Sequence, residues 1–230
     1  MKRGFIRGLW GVYDNSTRIM QRREKIDGDI NKIISNKFGE PFITYIFGQE
    51  NYERMVEKKL NCVLIDKNPA PFDQQKFVYR HKMELIRYAM ENDGYDEIVY
   101  MDWDCVPEKK IPIDFWDKLN KREPFQACLQ GYRRNKCDWR KQDKNIVPNG
   151  GFLYIRDNTY PNKAIECWKN NQQDNDEPAW AKMIDDLNDG WIGCEKYWET
   201  YEAMNCRLHR KSPFGKDKID KKDIYFTHYI

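Results

Sequence analysis

Ile98-Val99-Tyr100-Met101-Asp102-Trp103-Asp104-Cys105-Val106-Pro107 is the stretch around which the chain is organised. An apolar run ends here in two acidic residues one position apart, and the following proline argues against continuation of a strand. Residues i and i+2 of an extended segment lie on the same side, so the carboxylates of Asp102 and Asp104 can converge on one object. Converging carboxylates repel each other unless a cation lies between them, and Mn²⁺ or Mg²⁺ is the usual cation. The competing interpretation is a turn with two solvated acids.

The composition indicates a globular protein with a real core. The chain has 230 residues, of which 40% are hydrophobic and 33% charged, and this length suits one large domain or two small ones. Aromatic residues make up 14%, which fits a site for flat or sugar-like ligands as well as it fits a tryptophan-rich core. The net charge of +3 is close to balance and argues against bulk nucleic-acid binding.

Two further features predict a reducing compartment and no membrane anchor. No stretch has the apolar length needed to span a bilayer, and the start, Met1-Lys2-Arg3-Gly4, leads into a mixed segment without the apolar core of a signal peptide. The seven cysteines include no Cys-x-x-Cys pair, so neither a disulfide framework nor a structural zinc site is indicated. We therefore expect a cytoplasmic protein.

Strand and helix patterns alternate along the first half of the chain. The predicted strands are Gly4–Trp10, Phe42–Phe47, Cys62–Asp66 and the one that ends at Asp102; the predicted helices run from Asn15 or Ser16 to about Lys37, from about Glu50 to Lys59 and from about Phe77 to Asn92. Such alternation is typical of a mostly parallel, nucleotide-binding sheet flanked by helices. Ligands bind at the carboxyl ends of the strands in such sheets, and the acidic pair lies at one of those ends.

The second half is less regular. Its predicted elements are a helix at Ile113–Asn120, a strand at Pro124–Gly131, a basic loop at Tyr132–Val147, a glycine turn at Pro148–Gly151 that enters a strand ending at Ile155, and helices at about Pro161–Asn171, Glu177–Asn188 and Glu195–Met204. We expect one domain over residues 1–230, with a nucleotide-sugar half at about 1–107 and an acceptor half with a C-terminal lid at about 108–230.

Five features in this order resemble the GT-A-fold glycosyltransferases. They are the Asp-x-Asp at a strand end, the upstream His81-Lys82-x-Glu84-x-Ile86, Asn149-Gly150-Gly151, Asp176-Glu177-Pro178-Ala179 and a terminal aromatic-His. Within that family the chain most resembles small stand-alone enzymes such as those encoded by some large algal viruses. The resemblance implies an α/β GT-A fold and a metal-dependent transfer of sugar from a nucleotide-diphosphate sugar, with a UDP-sugar expected, to a hydroxyl of a glycan or glycoprotein acceptor. It also implies a monomer or weak homo-oligomer, in the host cytoplasm if the protein is viral.

The resemblance assigns a metal set at the acidic pair. Asp104 would bind the cation directly, Asp102 would contact the donor's ribose or the metal, and Trp103 lies between them beside the donor. His228 occupies the place of a third ligand. Imidazole suits Mn²⁺ better than Mg²⁺, so the resemblance favours Mn²⁺. The competing interpretation of His228 is a packed or exposed residue of an apolar tail.

Lys82 and the first strand are further donor-side candidates. Lys82 stands where the resembling enzymes place a residue that approaches the donor; a surface lysine paired with Glu84 or Asp73 is the alternative. Arg7 could face the diphosphate or nucleobase, and Gly8 would allow close approach of the backbone.

Two groups are assigned to the sugar and the acceptor. Asp176 and Glu177 are candidates for the base that deprotonates the acceptor in an inverting reaction, or for the residue that positions it in a retaining one. As acids in a first helical turn they also suit capping, and Asp176 matches the capping position better. Asn149, Gly150 and Gly151 would pass beneath the sugar, and a plain tight turn is the alternative.

Two other classes compete with the transferase. A strand that ends in Asp-x-Asp also opens the aspartyl-nucleophile phosphatases, in which the first acid attacks phosphate and the second protonates the leaving group. That class expects the motif very near the N-terminus, whereas three strands are predicted before it here. The third class is a sugar-binding module that has lost catalysis, against which the presence of Asp102, Asp104 and His228 argues.

Overall fold

The structure, a computed structural model, describes residues 1–10, 42–66, 80–102, 105–107, 110–129, 148–170, 176–193, 206–207 and 226–228. Residues 106–107, 128–129, 191–193, 206–207 and 226–228 are described by their backbone alone. Trp103, Asp104 and Asp73 lie outside the described residues. So do the predicted long helix before Lys37, the basic loop Tyr132–Val147 and the predicted helix Glu195–Met204.

Ten strands and five helices are described in this part of the chain. The strands are β1 (Arg3–Leu9), β2 (Phe42–Phe47), β3 (Cys62–Ile65), β4 (Glu97–Met101), β5 (Cys105–Pro107), β6 (Phe125–Leu129), β7 (Pro148–Ile155), β8 (Trp191–Gly193), β9 (Cys206–Arg207) and β10 (Phe226–His228). The helices are α1 (Gln49–Glu57), α2 (Arg80–Glu91), α3 (Phe115–Asn120), α4 (Thr159–Asn170) and α5 (Glu177–Leu187).

Seven strands form one sheet in the order β3-β2-β1-β4-β7-β6-β8. The pairs β3-β2, β2-β1, β1-β4 and β6-β8 are parallel, whereas β7 runs antiparallel to both β4 and β6. Parallel neighbours need crossover connections, and helices α1 and α2 lie between such strands in the sequence. The predicted mostly parallel α/β sheet is confirmed, with β7 as its antiparallel member.

Buried side chains cover both faces of this sheet. Ile6, Tyr45 and Tyr100 pack on one face with residues of α2, α4 and α5, while Phe5 packs on the other face with α3 and Ile46 packs there with α1. Successive residues of a strand point to opposite faces, which is why neighbours such as Phe5 and Ile6 enter different clusters. The fold is therefore three-layered, and the carboxyl ends of β1, β2 and β4 lie along one edge of the sheet.

A second, three-stranded sheet has the order β5-β10-β9. β10 pairs antiparallel with β5, so that His228 lies opposite Cys105 in the backbone register. The prediction that the central strand ends at the acidic pair is confirmed, since β4 ends at Met101. The sequence did not predict the short strand that follows, because three residues ending in proline carry no periodic signal.

The predicted glycine turn at Asn149-Gly150-Gly151 is wrong. These residues lie inside β7, whose eight residues are all buried. Glycine is depleted in strands because it has no side chain to pack, but it is used where another group approaches the backbone closely. Such a group is present at Gly150, as the next section describes.

Candidate active site

Asp102 is fixed by its backbone at the carboxyl end of β4. Its N–H donates to the carbonyl of Gly151 at 2.8 Å, and its own carbonyl accepts a hydrogen bond from the N–H of Cys105 at 3.0 Å. Its side chain is 30% exposed, and Oδ1 accepts a hydrogen bond from the hydroxyl of Tyr100 at 2.6 Å. The carboxylate is thus oriented by the protein while part of it stays open to a ligand.

Lys82, on α2, is a buried cation beside this acid. Its Nζ lies 3.3 Å from Oδ1 of Asp102, 3.0 Å from Oδ2 of Asp176 and 2.9 Å from the carbonyl oxygen of Gly150. Only 3% of its side chain is exposed. Burial alone would lower the pKa of Lys82, but the charges of Asp102 and Asp176 outweigh burial and raise its pKa well above the ordinary value, with a smaller contribution from Glu177. Lys82 therefore stays charged.

The alternative that Lys82 is a surface lysine paired with Glu84 is wrong. Glu84 instead pairs with Arg80 at 2.9 Å and with Arg87 at 2.5 Å along its own helix. Residues 81–86 of α2 are all buried, so this part of the helix has no solvent face on which Lys82 could lie.

Asp176 precedes α5 and is almost fully buried. Its Oδ2 accepts hydrogen bonds from the ammonium of Lys82 and from the indole N–H of Trp180, the latter at 2.9 Å. It occupies the N-cap position of α5 but makes no side-chain capping bond, so the capping role expected for it is wrong. The ammonium and the indole N–H together fix the position of this carboxylate. Glu177 is only half-buried.

Gly150 completes the arrangement from β7. A Cβ at this position would lie 2.1 Å from Oδ2 of Asp176 and 3.0 Å from Nζ of Lys82. The glycine is thus required by the close approach of Asp176 to the strand. Next to it, the amide oxygen of Asn149 accepts a hydrogen bond from the N–H of Gly151 at 2.7 Å, which fixes the polar side chain of this buried residue.

We name the set of Lys82, Asp102, Gly150 and Asp176 the lysine cluster. Its members come from α2, the end of β4, the strand β7 and the start of α5. The cluster has one ammonium and two carboxylates, so its formal net charge is negative by one. The structure therefore brings together four of the residues predicted from the sequence. Tyr100 and Trp180, which orient its acids, were not predicted, although both contacts are local: Tyr100 lies two residues before Asp102 and Trp180 four residues after Asp176.

Arg7 and Gly8 contact the protein differently from what was expected. Arg7 is fully buried, and its guanidinium donates a hydrogen bond to the backbone carbonyl of Cys105. A Cβ on Gly8 would lie 2.1 Å from Leu85, so this glycine makes room for the packing of α2 on β1. A contact of either residue with the donor stays a prediction.

An aromatic group not predicted from the sequence lies at the ends of β1 and β2. The ring of Trp10 stacks on His81 with centroids 6.0 Å apart and planes 14° apart, and Phe47 meets His81 edge-on at 4.7 Å. Trp10 directly follows β1 and is half-buried. The available signal was the position of aromatic residues at the carboxyl ends of two predicted strands.

The predicted metal ligands, Asp102, Asp104 and His228, can be compared with the ligand preferences of Mn²⁺ and with the backbone register. Two carboxylates and an imidazole suit Mn²⁺. Asp102 presents a partly exposed carboxylate, and pairing of β5 with β10 sets residue 228 opposite residue 105, the neighbour of residue 104. The backbone register therefore places the segment that contains residue 228 beside the segment that follows residue 104. The side chains of Asp104 and His228 lie outside those described, and among the described residues there is no group of three or more ligating side chains.

Comparisons with known proteins identify the fold. No family model matches the chain, and no curated protein matches it. Galactosyltransferase LgtC, solved with donor and acceptor sugar analogues, is similar with a TM-score of 0.55 and 12% identity over 98% of this chain and 86% of that chain. A glycosyltransferase involved in glycosylation of the major capsid of PBCV-1 gives 0.53 and 10% over 99% and 93%. Glycosyltransferase GlyE of Streptococcus pneumoniae TIGR4 gives 0.55 and 14% over 100% of this chain and 55% of that one.

These likenesses confirm the predicted GT-A-type glycosyltransferase fold. Among the described residues, no helix has the length and apolar character to cross a bilayer.

Proposed function

We propose, from this GT-A-type fold and the lysine cluster, that the protein is a metal-dependent glycosyltransferase that uses a nucleotide-diphosphate sugar. The expected donor is a UDP-sugar and the expected acceptor a hydroxyl of a glycan or glycoprotein. The observation that carries the proposal is the position of Asp102. It follows the central strand directly, at the edge of the sheet where ligands bind, and stays partly exposed while Lys82 and Tyr100 orient it.

On the donor side, Asp102, Asp104 and His228 would hold Mn²⁺ or Mg²⁺. When bound, such an ion offsets the negative charge that develops on the diphosphate leaving group. The residues of this chain have the complementary task of holding the donor in place. Asp102 would contact the ribose or the ion, with Trp103 beside it.

On the sugar side, we assign the lysine cluster to donor positioning. The main chain at Asn149, Gly150 and Gly151 belongs to a buried strand, and the carbonyl of Gly151 accepts a hydrogen bond from the N–H of Asp102. The carbonyls and amides of this strand therefore have fixed positions. Lys82 fixes both acids of the cluster at once. Sugar hydroxyls that reach this edge would meet donors and acceptors that need no reorganisation during the reaction.

On the acceptor side, we assign the catalytic carboxylate to Glu177 and a positioning role to Asp176. Asp176 is engaged by Lys82 and Trp180, whereas Glu177 is half-buried on the first turn of α5. Glu177 would deprotonate the acceptor hydroxyl if the anomeric configuration inverts, or orient that hydroxyl if the configuration is retained.

The test is a thermal-shift titration with UDP, GDP, CDP and ADP, each with and without Mn²⁺. We expect UDP to stabilise the protein only when Mn²⁺ is present, because the acids that follow β4 repel a diphosphate that has no bound cation. Asp104→Ala should lose this metal-dependent stabilisation, whereas Asp114→Ala, which removes an exposed acid paired with Lys118, should keep it.

Release of UDP from UDP-sugars then tests the transferase activity directly. A protein that responds to none of the four nucleotides would contradict the proposal. Hydrolysis of a phosphate ester in that case would favour the aspartyl-phosphatase class, and sugar binding without turnover would favour the inactive module.

A further inference from the structure

Arg7 is the buried cation that the proposed donor chemistry does not use. It lies on β1 on the same face as Phe5 and Leu9, and its side chain is fully buried. Taking a guanidinium out of water is costly unless its donors are satisfied by good acceptors. One acceptor for it is the backbone carbonyl of Cys105, and the ring of Phe42 lies 5.1 Å from its Cζ.

Cys105 is a backbone junction between the segments that carry the proposed metal ligands. Its N–H closes the turn after β4 by donating to the carbonyl of Asp102 at 3.0 Å. It directly follows Asp104, and its register partner in β10 is His228. The turn, the acidic pair and the C-terminal strand therefore meet at one residue, whose carbonyl is held from beneath by Arg7.

We propose that Arg7 is a positioning residue that sets metal affinity through the carbonyl of Cys105 without touching the metal or the donor. The inference rests on the metal site of the proposed function. A charge-assisted hydrogen bond is stronger and more directional than a neutral one, so it fixes the junction more firmly than packing alone. Without it, the turn and the β5-β10 pair would have to be ordered when the ion binds, and that ordering weakens affinity.

The expected size follows from other residues that support metal ligands indirectly. Loss of such a residue weakens metal binding by about 10–100-fold. Arg7→Met removes the charge and all the donors. Arg7→Lys keeps the charge and donors on a more flexible chain, so it should recover part of the affinity.

Phe5→Leu is the matched control. Phe5 lies two residues earlier on the same strand and the same face, is fully buried, and stacks on Phe115 at 5.6 Å. Its replacement should lower the melting temperature without changing the contact with Cys105. A variant series that contains this control separates loss of metal affinity from loss of fold stability.

The experiment is a titration of each purified variant with Mn²⁺ alone, with free Mn²⁺ followed by electron paramagnetic resonance and the melting temperature measured in parallel. We expect Kd to rise about 10–100-fold in Arg7→Met, by less in Arg7→Lys, and not in Phe5→Leu. If Arg7→Met does not fold, a rise in Kd in Arg7→Lys supports the inference and an unchanged Kd overturns it. Binding of UDP at saturating Mn²⁺ is measured as well.

Three results would overturn the inference. One is an unchanged Kd for Mn²⁺ in a folded Arg7→Met. Another is a Kd for Mn²⁺ that rises in Phe5→Leu in proportion to its loss of melting temperature. The third is a loss of UDP binding with Mn²⁺ binding intact, which would indicate direct contact with the donor. A wild-type protein that binds no Mn²⁺, with or without UDP, overturns the metal-dependent function as well, so the two failures are distinguishable.

Discussion

Replacing Lys82 by methionine would leave the two carboxylates of the lysine cluster without their cation. The ammonium lies 3.0 Å from Asp176 and 3.3 Å from Asp102. At an effective dielectric constant of about 20, each contact is worth roughly 5 kcal/mol of gross attraction. Burial of the ammonium costs several kcal/mol in return, and removal of one partner from a buried pair usually costs about 3–5 kcal/mol. Methionine has a similar length and leaves little cavity.

We therefore expect Lys82→Met to lower the free energy of unfolding by about 3–5 kcal/mol. For a chain of this size, about 2–4 °C is lost per kcal/mol, so the melting temperature should fall by about 6–20 °C. Urea unfolding gives the free energy and calorimetry gives the melting temperature. Lys118→Met, which breaks an exposed pair with Asp114 at 3.2 Å, should cost at most about 1 kcal/mol.

The double variant Lys82→Met with Asp176→Asn makes the test stricter. The asparagine oxygen can still accept the hydrogen bond of Trp180, while the uncompensated buried charge is removed. We expect the double variant to be more stable than Lys82→Met by about 1 kcal/mol or more. A single variant within about 1 kcal/mol of the wild type, or a double variant no more stable than the single one, would refute the electrostatic account of the cluster.

Three further experiments test other features of the structure. Glu177→Gln should abolish turnover with donor binding retained, whereas Asp176→Asn should weaken donor binding as well; equal turnover in both would exclude either as the catalytic base. Gly150→Ala should disrupt the site by driving a Cβ to 2.1 Å from the Asp176 carboxylate, while Gly94→Ala, with φ 67° and no atom within 4 Å of the added Cβ, should cost only about 1 kcal/mol of unfolding free energy. Burial raises the pKa of the Cys167 thiol to about 11, so at pH 8 it is protonated and iodoacetamide should alkylate it only in denatured protein, as mass spectrometry of the peptide would show.

The strand and helix order was predictable because local apolar patterns carry it. Phe42–Phe47 is a β-branched and aromatic run, and Cys62–Ile65 is a short apolar run before an aspartate, so each gave a strand with nearly the observed bounds. By contrast, β8 has three residues and pairs with β6, which makes it visible only once β6 is in place. Short strands of this kind depend on the partner rather than on their own sequence.

The chemistry of Lys82 and Asp176 was not predictable in the same way. Each residue had a local explanation. Lys82 could be a surface lysine paired with Glu84 or Asp73, and Asp176 could cap the helix that follows it. Lys82 is buried against Asp176, and Asp176 makes no side-chain capping bond, so both explanations are wrong. The two carboxylates that pair with Lys82 are 20 and 94 residues away from it along the chain. Contacts over such distances are created by the sheet topology, which brings α2, β4, β7 and α5 to one edge. The resemblance therefore singled out these two residues, but local pattern did not predict how they are paired.

Charge balance at this edge gives an independent reason to expect a divalent cation with the donor. Lys82 offsets only one of the two acids in the lysine cluster, and its ammonium is held by Asp102, Asp176 and the carbonyl of Gly150. The diphosphate of the proposed donor would bring further negative charge to the same edge. Asp104, two residues after Asp102 in the sequence, is a further acid. Lys82 cannot turn to the diphosphate without leaving the carboxylates of Asp102 and Asp176 with no cation between them. Two like charges in that arrangement repel each other. Under the proposed function, additional positive charge would therefore have to arrive with the donor, and a divalent cation would supply it without any rearrangement of the cluster.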